Sequence, residues 1–260
     1  MILGDLIARL QAVAPEDFAQ EWDNVGLLVG DRQQNIRSIY IALDADDAAI
    51  AQAKELGAQL LLTHHPMIFS PLKKVNCDNF ISARVVELLR SQMSCYAMHT
   101  NFDAALMGTL AAERMGLIVE GPLADIFSRD GVDYGIGVVG RFGEVMQLEQ
   151  LAELVKWKFD LSTVKVFGDL KSGVKRVAVC PGSGKSTIRD AIAAGTQVLI
   201  TGDIDHHSGI DAVAQGLSII DAGHYGIEHI FIDYMKEYLE AHLQGVEIFA
   251  QQRRDPFIVL

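Results

Sequence analysis

The 260-residue sequence predicts an α/β fold of two domains, built on mixed and mostly parallel sheets with flanking helices. Three observations point there. Short apolar runs of strand length alternate with stretches whose apolar residues recur at helical spacing. Glycine follows the helical stretches, as at Gly57 and Gly116, where a C-terminal residue free to turn left-handed ends a helix. Half of the residues are hydrophobic, enough at this length to bury a substantial core.

The leading stretch MILGDLIARLQAVAPEDF has helical spacing. Asp5 and Arg9 interrupt its apolar run, and it lacks a basic leading segment and a small-residue cleavage site, so it does not read as a secretion signal. From Ser38 to Leu117 strands and helices alternate. SIYIALDA, AQLLLTHHP and SCYAMHT read as strands; DDAAIAQAKELG, NFISARVVELLRSQ and LMGTLAAERMG read as the helices between and after them. Gly, Pro, Asp and Ser then gather in EGPLADIFSRDGVD, which marks a domain boundary. Beyond it YGIGVVGRFGEV, TVKVFGD, VKRVAVC, QVLITGD and LSIIDAG read as strands, with QLEQLAELVKWKFD, STIRDAIAAG and SGIDAVAQG as helices. A long helix over YGIEHIFIDYMKEYLEAHLQ and a last strand, GVEIFAQ, follow. The domains expected are residues 1–125 with about 218–260, and an inserted one over about 126–217.

Composition excludes several classes. The net charge of −12, with no dense Lys/Arg run, argues against nucleic acid as the main partner. No apolar run reaches the ~18 residues that cross a bilayer, so a soluble cytoplasmic protein is expected. The three cysteines, Cys77, Cys95 and Cys180, form no C-x-x-C pair and read as small, buried, reduced side chains.

The histidines carry the chemistry. In LLTHHPMIF an apolar strand delivers His64 and His65 at its carboxyl end, where open parallel sheets bind ligands. Adjacent strand residues face opposite ways, so both rings reach one site only if the backbone turns, and Pro66 makes that turn plausible. AMHTNFDAA brings His99 and Asp103 to a neighbouring strand end, although Asp103 taken alone reads first as a helix N-cap. In DAGHYGIEHI, His224 and Glu228 are spaced to share one helix face, whereas His229 points elsewhere and reads as structural. TGDIDHHSGI adds Asp203, Asp205, His206 and His207, with helix capping as the alternative for Asp205. Together these termini favour a His/carboxylate metal centre without cysteine. Five ligands, His64, His65, Asp103, His224 and Glu228, exceed one catalytic zinc with an open position and suit two metals sharing a carboxylate. Mixed N/O ligation admits Zn, Mn, Fe, Ni or Co.

A second motif misleads. RVAVCPGSGKST ends like a phosphate loop, but the first glycine of that loop should stand where Val179 stands. Gly182, Ser183, Gly184 and Lys185 remain candidate contacts for an anion at the start of a helix from Ser186.

EWDNVGLLVGD, LLTHHPMIF, MHTNFDAA, TGDIDHH and AGHYGIEHI, in that order, resemble the Ngg-interacting-factor-three-like family, whose bacterial members are labelled GTP cyclohydrolase I type-two homologues. The resemblance runs from about Leu3 to the C-terminus. It implies a di-metal site made by the same five residues, lying between two α/β domains, and a toroidal homohexamer. On this ligand set, metal-dependent hydrolysis of a small, nucleotide-like substrate is expected, with His99, Asp205 or His206 moving the proton or steadying the site. The family's label suggests attack on the imidazole ring of GTP with release of formate. A non-catalytic protein that stores, delivers or inserts metal would use the same ligands. In this family the glycine-rich segment matches a Gly-Ser-Gly turn after a strand. Some long members carry an inserted central domain, which the short central segment here does not match.

Overall fold

The structure is a computed structural model that describes residues 1–258. In chain order, helix α1 (Leu3–Val13) leads into strand β1 (Gly26–Val29), then β2 (Ser38–Ala42), α2 (Asp47–Glu55) and β3 (Leu60–Thr63). Next come α3 (Phe80–Arg90), β4 (Ser94–Ala97) and a single helical turn, α4 (Thr100–Phe102). After a π-helical segment, Asp103–Met107, the chain continues through α5 (Gly108–Met115) into the strands β5 (Ile118–Arg129) and β6 (Val132–Gln147). Then follow α6 (Leu148–Phe159), β7 (Lys165–Phe167), β8 (Gly173–Ser183), α7 (Ile188–Ala193), β9 (Val198–Gly202), α8 (His206–Ala214) and β10 (Ser218–Asp221). The last elements are α9 (His224–Glu228), α10 (Ile230–His242) and β11 (Glu247–Ala250).

The chain parts into two compact units. One comprises Met1–Ala105 with Phe231–Arg253; the other comprises Leu106–Ile230 with the segment from Arg254 onward. The sequence placed the boundaries near 125 and 218 instead. The reason is EGPLADIFSRDGVD, which forms a hairpin and not a linker. Asp130 and Gly131 take φ of 53° and 79°, the left-handed pair of a tight two-residue turn between β5 and β6. Pro122 is tolerated because β5 lies at the sheet edge. His224 and Glu228, expected in the same domain as His64, therefore belong to the other unit.

The first unit holds a five-stranded sheet in the order β1-β4-β3-β2-β11. All its pairs are parallel except β1 with β4. Every residue of β2, β3 and β4 is buried, as expected of parallel strands covered on both faces. Tyr40, Ala42, Leu61 and Cys95 pack with Ile50 and Ala53 of α2 and with Val85 and Leu88 of α3. Asp46 and Asn79 cap those two helices by accepting backbone N–H groups of the first turn. β1 escaped the sequence reading: four residues that begin with one glycine and are followed by another are too short for a periodic signal.

The second unit holds a six-stranded sheet, β5-β6-β8-β9-β10-β7, in which only β8–β9 and β9–β10 are parallel. Its core gathers Val139, Ala178, Leu199 and Ile219 from the strands with Ile188, Ala191 and Ala212 from the helices. The long helix expected from Tyr225 to Gln244 is instead two, α9 and α10, on either side of His229. Cys77 is exposed, against expectation; Cys95 and Cys180 are buried, and burial pushes the Cys95 thiol up to about 12. None of the three is in a disulfide, and no described helix is long and apolar enough to cross a membrane.

Candidate metal centre

The carboxyl edge of the first sheet collects its polar residues. β2, β3 and β4 run parallel, so Asp44, the His64–His65 pair and His99 leave the sheet at one edge. Strand β1 runs antiparallel beside β4, with Gly26 opposite Ala97, so the residues just before β1 reach that same edge. This brings Asp23 to His99.

Both adjacent histidines face one place because the chain turns as soon as β3 ends. Thr63 Oγ1 donates to the His65 carbonyl at 2.9 Å, while His65 N donates to the Leu43 carbonyl at 2.9 Å. The His64 and His65 rings lie 4.9 Å apart, and the His99 ring lies 5.3 and 5.5 Å from them. One ring nitrogen from each of the three lies within 4.8 Å of the others. His64 is wholly buried against Phe231 and Phe102.

Each of these rings is held by Nδ1. His64 Nδ1 lies 2.7 Å from the Met98 carbonyl, His65 Nδ1 2.8 Å from Asp44 Oδ1, and His99 Nδ1 3.0 Å from Asp23 Oδ1. A carbonyl or carboxylate oxygen accepts, so these contacts place a proton on Nδ1 of each ring and make Nε2 the nitrogen that a metal could use. In His64 that nitrogen stands 3.4 Å from Asp103 Oδ1. Asp103 begins the five-residue π-helical segment, a wide turn of the kind found at functional sites, and is not the cap that the sequence also allowed.

The second unit repeats the device on its own sheet. β8, β9 and β10 run parallel, so Gly182, Asp203 and the Gly223–His224 turn emerge together. His224 Nδ1 lies 2.8 Å from Asp203 Oδ2, and His224 Nε2 lies 3.0 Å from Glu228 Oε2, the expected pair on one helix face. Glu228 is buried, and one glycine makes room for its carboxylate while another makes room for the start of its helix. At Gly182, with φ of 77°, a Cβ would fall inside the Glu228 carboxylate. At Gly202 a Cβ would lie 2.6 Å from His224 N. Buried Asp221 braces the same turn: it accepts from Ile204 N and Gly223 N at 3.0 Å each and pairs with Lys165 at 2.7 Å.

The glycine-rich segment is thus explained by close packing. Ser183 ends β8, and Gly184–Thr187 is a 3₁₀ turn, so the helix begins at Ile188 and not at Ser186. Gly184 N donates inward to Thr201 Oγ1 at 2.8 Å, and Lys185 Nζ pairs with Asp205 Oδ2 at 2.7 Å.

Asp205 is a helix cap. It accepts from Ser208 N at 3.0 Å and Ser208 Oγ at 2.8 Å, and Lys185 with these bonds holds its carboxyl well below the usual range. His206 and His207 are exposed on the first turn of α8, their rings 5.2 Å apart. The His229 ring lies against Tyr225 at 5.7 Å.

Asp23 and Asp44, the carboxylates behind the rings, were missed in the sequence. The available signal was an aspartate at a strand end, in IALDADD and in EWDNVG. Asp23 has a fully buried side chain that accepts from His99 Nδ1, from Thr100 N at 3.1 Å and from Thr100 Oγ1 at 2.5 Å. Burial alone would raise its carboxyl, but the His99 and Thr100 bonds and the His99 charge outweigh it and hold it at about 2.

The profile of the Duf34/NIF3 (NGG1p interacting factor 3) family matches residues 1–256. A GTP cyclohydrolase 1 type 2 homolog of Clostridium perfringens is 33% identical over 261 residues, spanning 99% of each chain. The Lactococcus lactis protein of the same name is 33% identical over 263 residues, again spanning 99% of each. Among solved structures, a Bacillus cereus protein related to NIF3 has a TM-score of 0.89 at 25% identity, covering 100% of this chain and 99% of its own. Reduced HcgD from Methanocaldococcus jannaschii has a TM-score of 0.81 at 30% identity, covering 96% of this chain and 97% of its own.

Proposed function

The chain belongs to the Duf34/NIF3 family, and on that footing we propose that it is a metal-dependent hydrolase of a small, nucleotide-like substrate, binding two divalent ions through His64, His65, Asp103, His224 and Glu228. One observation carries the reading. The three histidines among these ligands each have Nδ1 set against an oxygen acceptor, which fixes Nε2 as the donor nitrogen. Histidines that ligate metals are held in this way, and the held ring is the better base. The donor set fits: imidazoles and carboxylates without thiolate suit Zn, Mn, Fe, Ni or Co.

A bound ion would supply a water of lowered pKa and polarise the bond to be cleaved. The rest falls to this chain's own residues. His99 is the proton carrier we favour, since Asp23 keeps its Nδ1 protonated and its Nε2 open to exchange. Asp205 and His206, the other candidates, act through the start of α8, where Asp205 is engaged by Ser208 and Lys185.

The same reading extends to a homohexameric ring, which light scattering of the purified protein checks. It also extends to a reducing cytoplasm, in keeping with three cysteines that form no disulfide. The decisive test is metal analysis of the wild type, His65→Ala and Glu228→Gln, followed by mass spectrometry of products after incubation with GTP. Metal retained in full by both variants overturns the ligand assignment. Metal bound by the wild type with every nucleotide left intact replaces the hydrolase with a protein that stores or delivers metal.

A further inference from the structure

We propose that Trp22 and Phe69 form a platform on which a planar heterocycle stacks, so that the ring system of the substrate is what the first unit recognises. The proposal rests on the preceding reading of the adjacent histidines as a catalytic site. It adds the recognition element and the two side chains that supply it.

Both side chains are exposed, Trp22 by 59% and Phe69 by 57%. Their ring centroids are 5.7 Å apart at 47°, and the Trp22 ring meets the His99 ring edge-on at 6.1 Å. An apolar ring in water is ordinary on a loose loop, but this one is pinned on both sides. Gln20 N donates to Thr100 Oγ1 at 2.9 Å, and buried Asp23 is held by His99 and Thr100. Asn24 Nδ2 donates to the carbonyl of Ile68 at 2.5 Å, which ties the Trp22 segment to the residue before Phe69. The antiparallel entry of β1 beside β4 fixes where all of this sits.

Such a shelf gains most from a flat, polarisable partner. Aromatic faces attract other rings in stacked or edge-on geometry and cover their apolar area without demanding a fixed hydrogen-bond pattern. On its histidine side lie the carboxylates Asp23, Asp44 and Asp103, set against His99, His65 and His64, and carboxylates do not attract a phosphate by themselves. The ring, and not the phosphate, is therefore the part of a nucleotide-like molecule that this edge selects. Trp157, the second tryptophan, is exposed on α6 and lies under the ammonium of Lys158 at 4.5 Å.

Trp157→Phe leaves Trp22 as the sole tryptophan reporter. Its fluorescence is titrated with guanosine, adenosine and a pterin, and with ribose 5-phosphate as the ringless control, each with and without zinc. Saturable quenching by at least one heterocycle and none by ribose phosphate supports the platform. Phe69→Ala in this background should weaken that binding several-fold. Trp22→Ala, read by calorimetry, should weaken it roughly 10- to 100-fold, with metal content unchanged. No saturable quenching by any heterocycle, equal quenching by ribose phosphate, or a Trp22→Ala protein that binds the ring normally but sediments as a smaller species overturns the proposal. Ring binding that persists without turnover breaks the hydrolase reading alone. Turnover with an unchanged KM in Trp22→Ala breaks the platform alone.

Discussion

Strands β3 and β9 are both wholly buried, both run in parallel ladders, and both are followed by two adjacent histidines and nearby aspartate. After β3 the chain turns at once on the Thr63 hydroxyl, and His64 and His65 stay at the sheet edge with Nδ1 tied to Met98 and Asp44. After β9 the chain runs on through Asp203, at φ of 57°, to Asp205, which caps a helix and carries His206 and His207 onto an exposed first turn. The same dipeptide becomes a held pair at the sheet edge or a surface pair according to what closes the strand before it. A neighbour that accepts from Nδ1 makes the difference, and His206 and His207 have none among the described residues.

This contrast can be broken by substitution. His64→Ala should have the largest effect, since it empties a wholly enclosed site and strips the Met98 carbonyl of its donor. The expected cost is about 3 kcal/mol with loss of bound metal. An unchanged melting temperature would show that the β3 end is no more built than the β9 end. Gly182→Ala follows, at about 2 kcal/mol, because it forces a left-handed φ and a Cβ onto Glu228. The check is metal content beside thermal unfolding, and full retention of both would sink the close-packing account of the glycine-rich segment.

Asp23→Asn should cost about 1–2 kcal/mol near neutrality. The folded carboxyl is pushed down to about 2, so its contribution is complete above the ordinary carboxylate range near 4 and is lost as pH falls toward 2. Acid unfolding of the wild type should therefore be steeper than that of the variant between about pH 4 and 2, and parallel curves would remove Asp23 from the site. Asp205→Ala should lower the urea midpoint slightly through loss of the α8 cap while leaving metal content alone. His206→Ala should change neither, and a clear loss of turnover at full metal occupancy would return His206 to the chemistry.

Much of the fold was legible. Apolar runs such as LLLT and VLITG and capped, glycine-ended helices carry their own local signal, because strand burial and helix termination act over a few residues. The positions of His64, His65, His224 and Glu228 at strand and helix ends were legible for the same reason. The hairpin of β5 and β6 was misread because its Asp-Gly turn and edge proline resemble a linker until the partner strand is seen. β1 was invisible, being four residues long and defined by pairing with β4.

What the sequence by itself determined is therefore the order of elements and the donor atoms available at their ends, since both follow from local pattern. Tertiary structure alone decided which histidines have Nδ1 held by an acceptor. His64 is oriented by a carbonyl 34 residues away and His99 by a carboxylate 76 residues away. No periodicity records such partners, because only the strand order brings them to one edge.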